Sequence, residues 1–221
     1  RGQQGAPRIN VSTSVARTSF IDLRKSMNSY EYANSYNLGQ AYDAYVTGNL
    51  TRRFSDKVIE KYRTQSDPIL YPDVNWTDLL VSDASYQTQT NINISGGTER
   101  VKYFFSAGYF TQDGLFNTDV YDPGYDYQLK YRRYNLRSNF DFNINKNLKV
   151  SFDLSTQMDD TRGPNWSTSS FMNMLVTVPS TISPGVVDNK IVMVPTTAQI
   201  PASTPMVAFI KGNHKDYANF L

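Results

Sequence analysis

From Tyr86 to Ser95 the chain reads Tyr-Gln-Thr-Gln-Thr-Asn-Ile-Asn-Ile-Ser, and this strict alternation limits its fold more than any other feature. A period of two sustained over ten residues describes a strand with one wet and one dry face. The pattern returns from Arg133 to Ile144 and from Leu148 to Asp159. Weaker versions run over Pro7–Thr18, where Ile9, Val11, Thr13 and Val15 share a face, and over Arg100–Thr111. Five strands are therefore predicted, near residues 7–18, 85–95, 100–111, 132–144 and 148–160. Their connections run long, short, long, short, long. Gly96-Gly97 reads as a two-residue hairpin turn and Asn145-Lys146-Asn147 as another. The long connections are residues 19–84, 112–131 and 161–221.

Helical signals fall only in the long connections. Ser29 to Tyr45 carries Tyr32, Tyr36 and Leu38 at roughly helical spacing, with Ser29 as a candidate cap. A second helix is expected after Ser55, a helical turn through Trp76, Leu79 and Leu80, and a helix from Ser169 to Val178. Beyond it, Pro179, Pro184, Pro195, Pro201 and Pro205 favour an irregular loop.

Alternation does not say whether the dry face meets a protein core or lipid. Two features favour lipid. The polar face of the second strand presents Gln87, Gln89, Asn91, Asn93 and Ser95 without one charge, whereas water-exposed surfaces mix in Lys and Glu. The strict long–short alternation is how outer-membrane barrels arrange external loops and periplasmic turns. The mean hydropathy of −0.50 fits, because a barrel strand shows only every second residue to lipid. Ile92, Phe140, Phe142, Val150, Phe152 and Leu154 are then the side chains bathed by hydrocarbon. A soluble carbohydrate-binding β-sandwich is the alternative. Five strands cannot close a barrel, and an open sheet cannot sit alone in lipid, so the wall must be completed by further chain.

Little else in the totals selects a function. The net charge of +2, with no Lys/Arg block, gives no nucleic-acid patch. There is no Cys, and no apolar run approaches a transmembrane helix. The opening Arg1-Gly2-Gln3-Gln4-Gly5 is no signal peptide, so a leader was removed or the chain is a fragment.

Certain motifs do point to a family. Asn75-Trp76-Thr77-Asp78, then the strand ending Ser95-Gly96-Gly97-Thr98-Glu99, then Lys102-Tyr103-Phe104-Phe105-Ser106-Ala107-Gly108-Tyr109-Phe110 and Gln112-Asp113-Gly114 resemble the early barrel of SusC/RagA-type TonB-dependent transporters. Arg132-Arg133-Tyr134-Asn135-Leu136-Arg137-Ser138-Asn139 resembles the strand that follows there. Arg1-Gly2 with Gly5, Pro7 and Ile9 resembles the exit from the plug into the first barrel strand. The resemblance covers residues 1 to about 160. It implies an all-β fold: an antiparallel transmembrane β-barrel segment, about five strands of a barrel of about 22, with long, partly helical extracellular loops. It also implies a bacterial outer-membrane importer of oligosaccharides or peptides, with a SusD-like surface lipoprotein as lid. TonB would couple through a region N-terminal to this chain, which itself holds no TonB box, plug or remaining strands. With the plug in the periplasm, Gly96-Gly97 and Asn145–Asn147 are periplasmic turns and the three long connections face outward.

No catalytic residue is expected, and no enzyme. His214, the only histidine, sits in a polar stretch, Lys211–Lys215, that reads as solvated loop. Asp159-Asp160 resembles a glycosidase pair, but neighbours on a strand point to opposite faces and cannot flank one bond. Asp119, Asp122 and Asp126 with Gly124 offer oxygen ligands to Ca²⁺ without EF-hand spacing; no cofactor is otherwise indicated. Tyr121, Tyr125, Tyr127 and Trp166 in the external loops are candidate contacts for ligand or partner, against a bland alternative of loop packing. Arg137, Asp141, Lys149 and Asp153 are expected to face the lumen.

Overall fold

All the long connections leave the sheet at one end, and there they fold into a body of their own. The computed structural model describes residues 2–164, 166–193, 204–209 and 212–220, the last in backbone plus the side chain of Ala218. The elements run β1 (Gly5–Thr18), α1 (Ser29–Thr47), α2 (Asp56–Thr64), α3 (Trp76–Leu80), β2 (Ser85–Gly97), β3 (Val101–Asp113), β4 (Lys130–Asn145), β5 (Leu148–Pro164), α4 (Thr168–Thr177), β6 (Gly185–Val187), β7 (Lys190–Val192) and β8 (Gly212–Phe220). Among the described residues β1-β2-β3-β4-β5-β8 form one open antiparallel sheet of six strands, and β6 pairs with β7 apart from it.

The sixth strand is a correction to the sequence reading, which left residues 161–221 as loop. β5 continues to Pro164, and β8 returns beside it with Phe220 opposite Thr156 and His214 opposite Arg162. His214 thus lies in a strand backbone, and its side chain is outside the described residues. The first turn also differs. Gly96 and Gly97 are the last residues of β2, paired with Tyr103 and Lys102, and the turn itself is Thr98-Glu99-Arg100. Thr98 closes it, donating its N–H to Val101 O at 2.7 Å and accepting from Val101 N at 3.2 Å. The glycines serve close approach instead. A Cβ on Gly96 would stand 2.6 Å from the Tyr103 hydroxyl, and one on Gly97 would stand 2.5 Å from Val101 O. Tyr103 therefore lies over Gly96, as aromatic rings do over glycines in sheets. The second turn is as expected, with Asn145 Oδ1 accepting from Asn147 N at 2.9 Å.

Register puts the apolar positions of five strands on one face. Ile9, Ile94, Phe105, Ser138 and Leu154 form one row, and Val11, Ile92, Ala107, Leu136 and Thr156 the next. Among the described residues nothing covers this face: Val11 is 64% exposed, Phe152 55% and Leu154 46%. Ile92 and Val150 are exposed as well, while Phe140 and Phe142 are half-covered by stacking on each other at 6.2 Å. The apolar band runs aslant to the ladder. On β1 it reaches Val15, in the row of Arg132 and Asp160, while on β5 it extends down to Leu148. A level band crosses tilted strands in this way.

The buried core lies in the loops. Trp76, Leu80, Phe116, Tyr127, Phe171, Leu175, Met206, Ala208 and Phe209 pack together over the sheet's end. A second, smaller cluster of Ala33, Phe54 and Tyr62 with Tyr32, Tyr36 and Tyr71 joins α1 to α2. Asn28, not Ser29, caps α1 in a capping box: its Oδ1 accepts from Glu31 N at 2.8 Å and Glu31 Oε2 accepts from Asn28 N at 3.1 Å. Ser29 instead ties the helix to the neighbouring loop, its N–H donating to Asp73 Oδ1 at 2.7 Å. α2 starts at Ser55 as expected.

Candidate functional site

Two surfaces of this fold can meet a solute: the polar face of the sheet and the outer skin of the loop dome. The polar face is built by the even positions of β3, the odd positions of β4 and β5 and the partners they face. Its middle row reads Ser12, Asn91, Gly108, Asn135, Gln157; the row toward the dome reads Ser14, Gln89, Phe110, Arg133, Asp159. The wall is thus mostly neutral amide and hydroxyl, with single aromatic rings set into it.

A charged constellation stands at the dome end of that wall. Asp159 receives Arg133 Nε at 2.8 Å, the Tyr131 hydroxyl at 2.7 Å and Gln157 Nε2 at 2.7 Å. The Arg133 guanidinium lies 5.3 Å from the Tyr131 ring centroid, and the Phe110 ring stands 5.9 Å from the same ring. A carboxylate holding three donors keeps the guanidinium and the Tyr131 ring in fixed orientation. The expectation that Asp159 and Asp160 face opposite ways agrees with the geometry: Asp160 lies on the other side of the sheet, with Arg132 at 3.8 Å and Arg162 at 3.4 Å.

Arg137, Asp141, Lys149 and Asp153 occupy polar-face positions. Asp141 accepts from the Ser151 hydroxyl at 2.6 Å and pairs with Lys149 at 3.4 Å. Asp153 accepts a hydrogen bond from Asn139 Nδ2, and Arg137 is exposed opposite Ser106 and Ser155.

The loop aromatics divide. Tyr127 lies inside the dome at 2% exposure, its ring 4.6 Å from that of Phe209 and its hydroxyl donating to Tyr121 O at 3.0 Å. That burial pushes its hydroxyl up to about 12 and removes the ring from any contact surface. Tyr121 is half-buried against the same core. Tyr125, whose hydroxyl donates to Phe209 O, and Trp166 remain exposed at 39% and 40%. The loop carboxylates do not gather. Asp122 Oδ1 accepts from Gly124 N at 2.8 Å, and Asp126 is bound by Lys130 at 2.6 Å, a hydrogen bond that holds its carboxyl below the usual range. Among the described residues no three acidic or imidazole groups converge.

The Asn75–Asp78 motif acts structurally. Asn75 caps α3, accepting from Thr77 N at 3.1 Å and donating to Asp78 Oδ2 at 2.6 Å. The Trp76 ring is fully buried, with its indole N–H on Pro179 O at 3.3 Å. This segment ties α3 to the Pro179 turn inside the dome.

No family model matches the chain. A curated relative, TonB-dependent receptor P26 of Formosa agariphila, is 32% identical over 87 residues, which are 39% of this chain and 8% of that protein. The solved RagAB peptide importer in its closed-closed state aligns over 93% of this chain and 24% of its own, at TM-score 0.60 and 21% identity. Its open-open state aligns over all of this chain and 26% of its own, at TM-score 0.58 and 19% identity. The resemblance to TonB-dependent transporters of the SusC/RagA type holds. The sheet has the fold of a stretch of transmembrane barrel wall, here not closed. The chain spans under a tenth of the curated relative and about a quarter of the solved chains. These relatives are named a receptor and importers, not enzymes.

Proposed function

We propose that this chain forms part of the wall and external dome of an outer-membrane, TonB-dependent importer of oligosaccharides or peptides. One observation supports the reading above all: the sheet turns a largely apolar, exposed face one way and an amide-lined face the other. A water-soluble β-sandwich, the alternative, covers its apolar face with a second sheet. Backbones of peptides and hydroxyls of sugars are neutral and rich in donors and acceptors, which suits a wall of Asn, Gln and Ser. The RagAB structures are titled as a peptide importer, which favours peptides by likeness alone. A SusD-like lipoprotein over the dome, and TonB acting through a region outside this chain, belong to the same proposal. So do contacts from Tyr125 and Trp166, the exposed pair of the four loop aromatics.

The test is fractionation joined to uptake. The whole protein is expected in the outer-membrane fraction, released only by detergent. Cells lacking it are expected to lose uptake of labelled oligosaccharides or peptides, and the Tyr125→Ala, Trp166→Ala variant to weaken apparent affinity. Recovery in a soluble fraction without detergent would overturn the reading.

A further inference from the structure

Where the amide-lined face of the sheet meets the dome, a cavity of about 180 Å³ remains. Phe20, Val81, Leu115, Leu129, Phe171 and Met172 wall it, and its lining is almost wholly carbon. Gln112 fixes its height on the sheet. That residue lies on the amide-lined face of β3, opposite Tyr131, and the next residue down the same face is Phe110, whose ring stands 5.9 Å from that of Tyr131. The one acid among the walls, Asp113, belongs to the other face of β3. Leu129 is held in place over two glycines: a Cβ on Gly114 would stand 2.7 Å from Leu129 Cβ, and one on Gly163 would stand 2.9 Å from Leu129 Cδ1. The Leu129 carbonyl also accepts from Gly114 N at 2.5 Å, so this wall is formed before any ligand arrives. Two hollows of about 340 and 250 Å³ adjoin the cavity around Phe20. Both are more polar, with Arg24 and Asn173 in the first and Ser82 and Asp83 in the second.

We propose that this cavity is a side-chain subsite of the importer, and that it takes one apolar side chain, aromatic or branched aliphatic, of a passing peptide. The inference deepens the importer reading above, on which it rests, by choosing peptides over oligosaccharides. An apolar cavity of about 150 Å³ stays dry and accepts a benzene ring, so this one has the size for a Phe or Leu side chain. A sugar ring carries hydroxyls around its rim. Enclosed by carbon, they would lose water without gaining partners. A peptide separates the two chemistries, with apolar groups in its side chains and donors and acceptors along its backbone. With the side chain between Leu129 and Met172, the backbone lies toward the two polar hollows and the Gln112 amide. That amide offers a donor and an acceptor together, as a peptide group does.

The probes are the end-blocked peptides Gly-Ser-Phe-Ser-Gly and Gly-Ser-Ser-Ser-Gly and a linear glucose pentasaccharide. Each is titrated calorimetrically into the whole purified protein in neutral detergent. The Phe-containing peptide is expected to bind at least roughly tenfold more tightly than either of the others. Thr168→Phe, which fills the cavity from the exposed start of α4, should remove that preference and leave the affinity of the all-polar peptide unchanged. Val81→Phe, from a second wall, should do the same. A folded, heat-modifiable band on gels shows that each variant has assembled; where one has not, the comparison of the two peptides on the unaltered protein decides. Equal affinity for the two peptides, tighter binding of the sugar, binding of none of the three, or a preference that survives both filling variants would overturn the inference and leave the importer reading standing. Solubility without detergent would instead bring down the importer reading itself, a separate outcome.

Discussion

The wall and the dome use the same kinds of side chain in opposite senses. In the dome, Trp76, Phe171 and Phe209 are almost wholly buried, although Ile21, Leu38, Tyr45, Val46 and Leu70 stay on its surface. In the wall, Val11, Phe152 and Leu154 stand open while Asn139, an amide, is buried. Apolar surface goes wherever water is absent. The dome excludes water by its own packing, whereas the wall leaves that task to its surroundings. The difference teaches that burial alone cannot grade such a chain: the exposed apolar residues of β4 and β5 are a specification of solvent. Three tests ask whether the regions are as separate as this contrast says.

The largest effect is expected inside the dome. Trp76→Ala removes a fully buried ring that also donates to Pro179 O, and it should cost about 3–5 kcal/mol. Hydrogen exchange on the whole protein should show amides of α3 and α4 opening while the β2–β3 ladder stays protected. If the ladder loses protection to the same extent, wall and dome are one cooperative unit and the contrast is only descriptive.

Next comes a charge placed in the wall. Phe152→Arg puts a guanidinium in the apolar band opposite Phe140, and should cost about 2–4 kcal/mol if that face meets hydrocarbon. Tyr45→Arg, on the 93%-exposed surface of α1, should change stability by less than about 0.5 kcal/mol. The readout is the fraction of protein assembled in the outer membrane. Equal assembly of both variants would mean that Phe152 faces water, and the wall would be an ordinary surface.

Most of the wall was legible because it is periodic. Five strands, the alternation of loop lengths and the second turn follow from residues read two at a time. Even the missed constellation was within reach: folding the chain about Lys146 brings Arg133 against Asp159 and Arg132 against Asp160, as the register does. β8 was not legible, since Gly212-Asn213-His214-Lys215-Asp216-Tyr217 alternates nothing and gains its ladder only from β5 beside it. The glycine pair misled for a physical reason. Gly96 and Gly97 look like a turn, but their space is taken by Tyr103 and by the Val101 carbonyl. The dome hid its core because Trp76, Phe116 and Phe171 come from three separate connections, with no local period to announce them. Tyr127 therefore read as a surface aromatic, when it is the floor on which Phe209 packs.

The smallest effect sharpens the contrast from within the dome. Asn28 holds the start of α1 through a reciprocal pair of bonds with Glu31, and it sits where the chain arriving from β1 turns toward the helix. Next to it, Met27 O accepts from the Ser180 hydroxyl at 3.1 Å, so the cap also borders the Pro179 segment that receives Trp76. Asn28→Ala should cost about 1 kcal/mol, within the range for lost N-caps. Because the cap lies on the dome's own framework, the loss should appear as faster exchange at the first turn of α1 and leave outer-membrane assembly unchanged. A drop in assembly as large as that of Phe152→Arg would show that the helix start is needed to close the wall, and the two regions would then have to be treated as one.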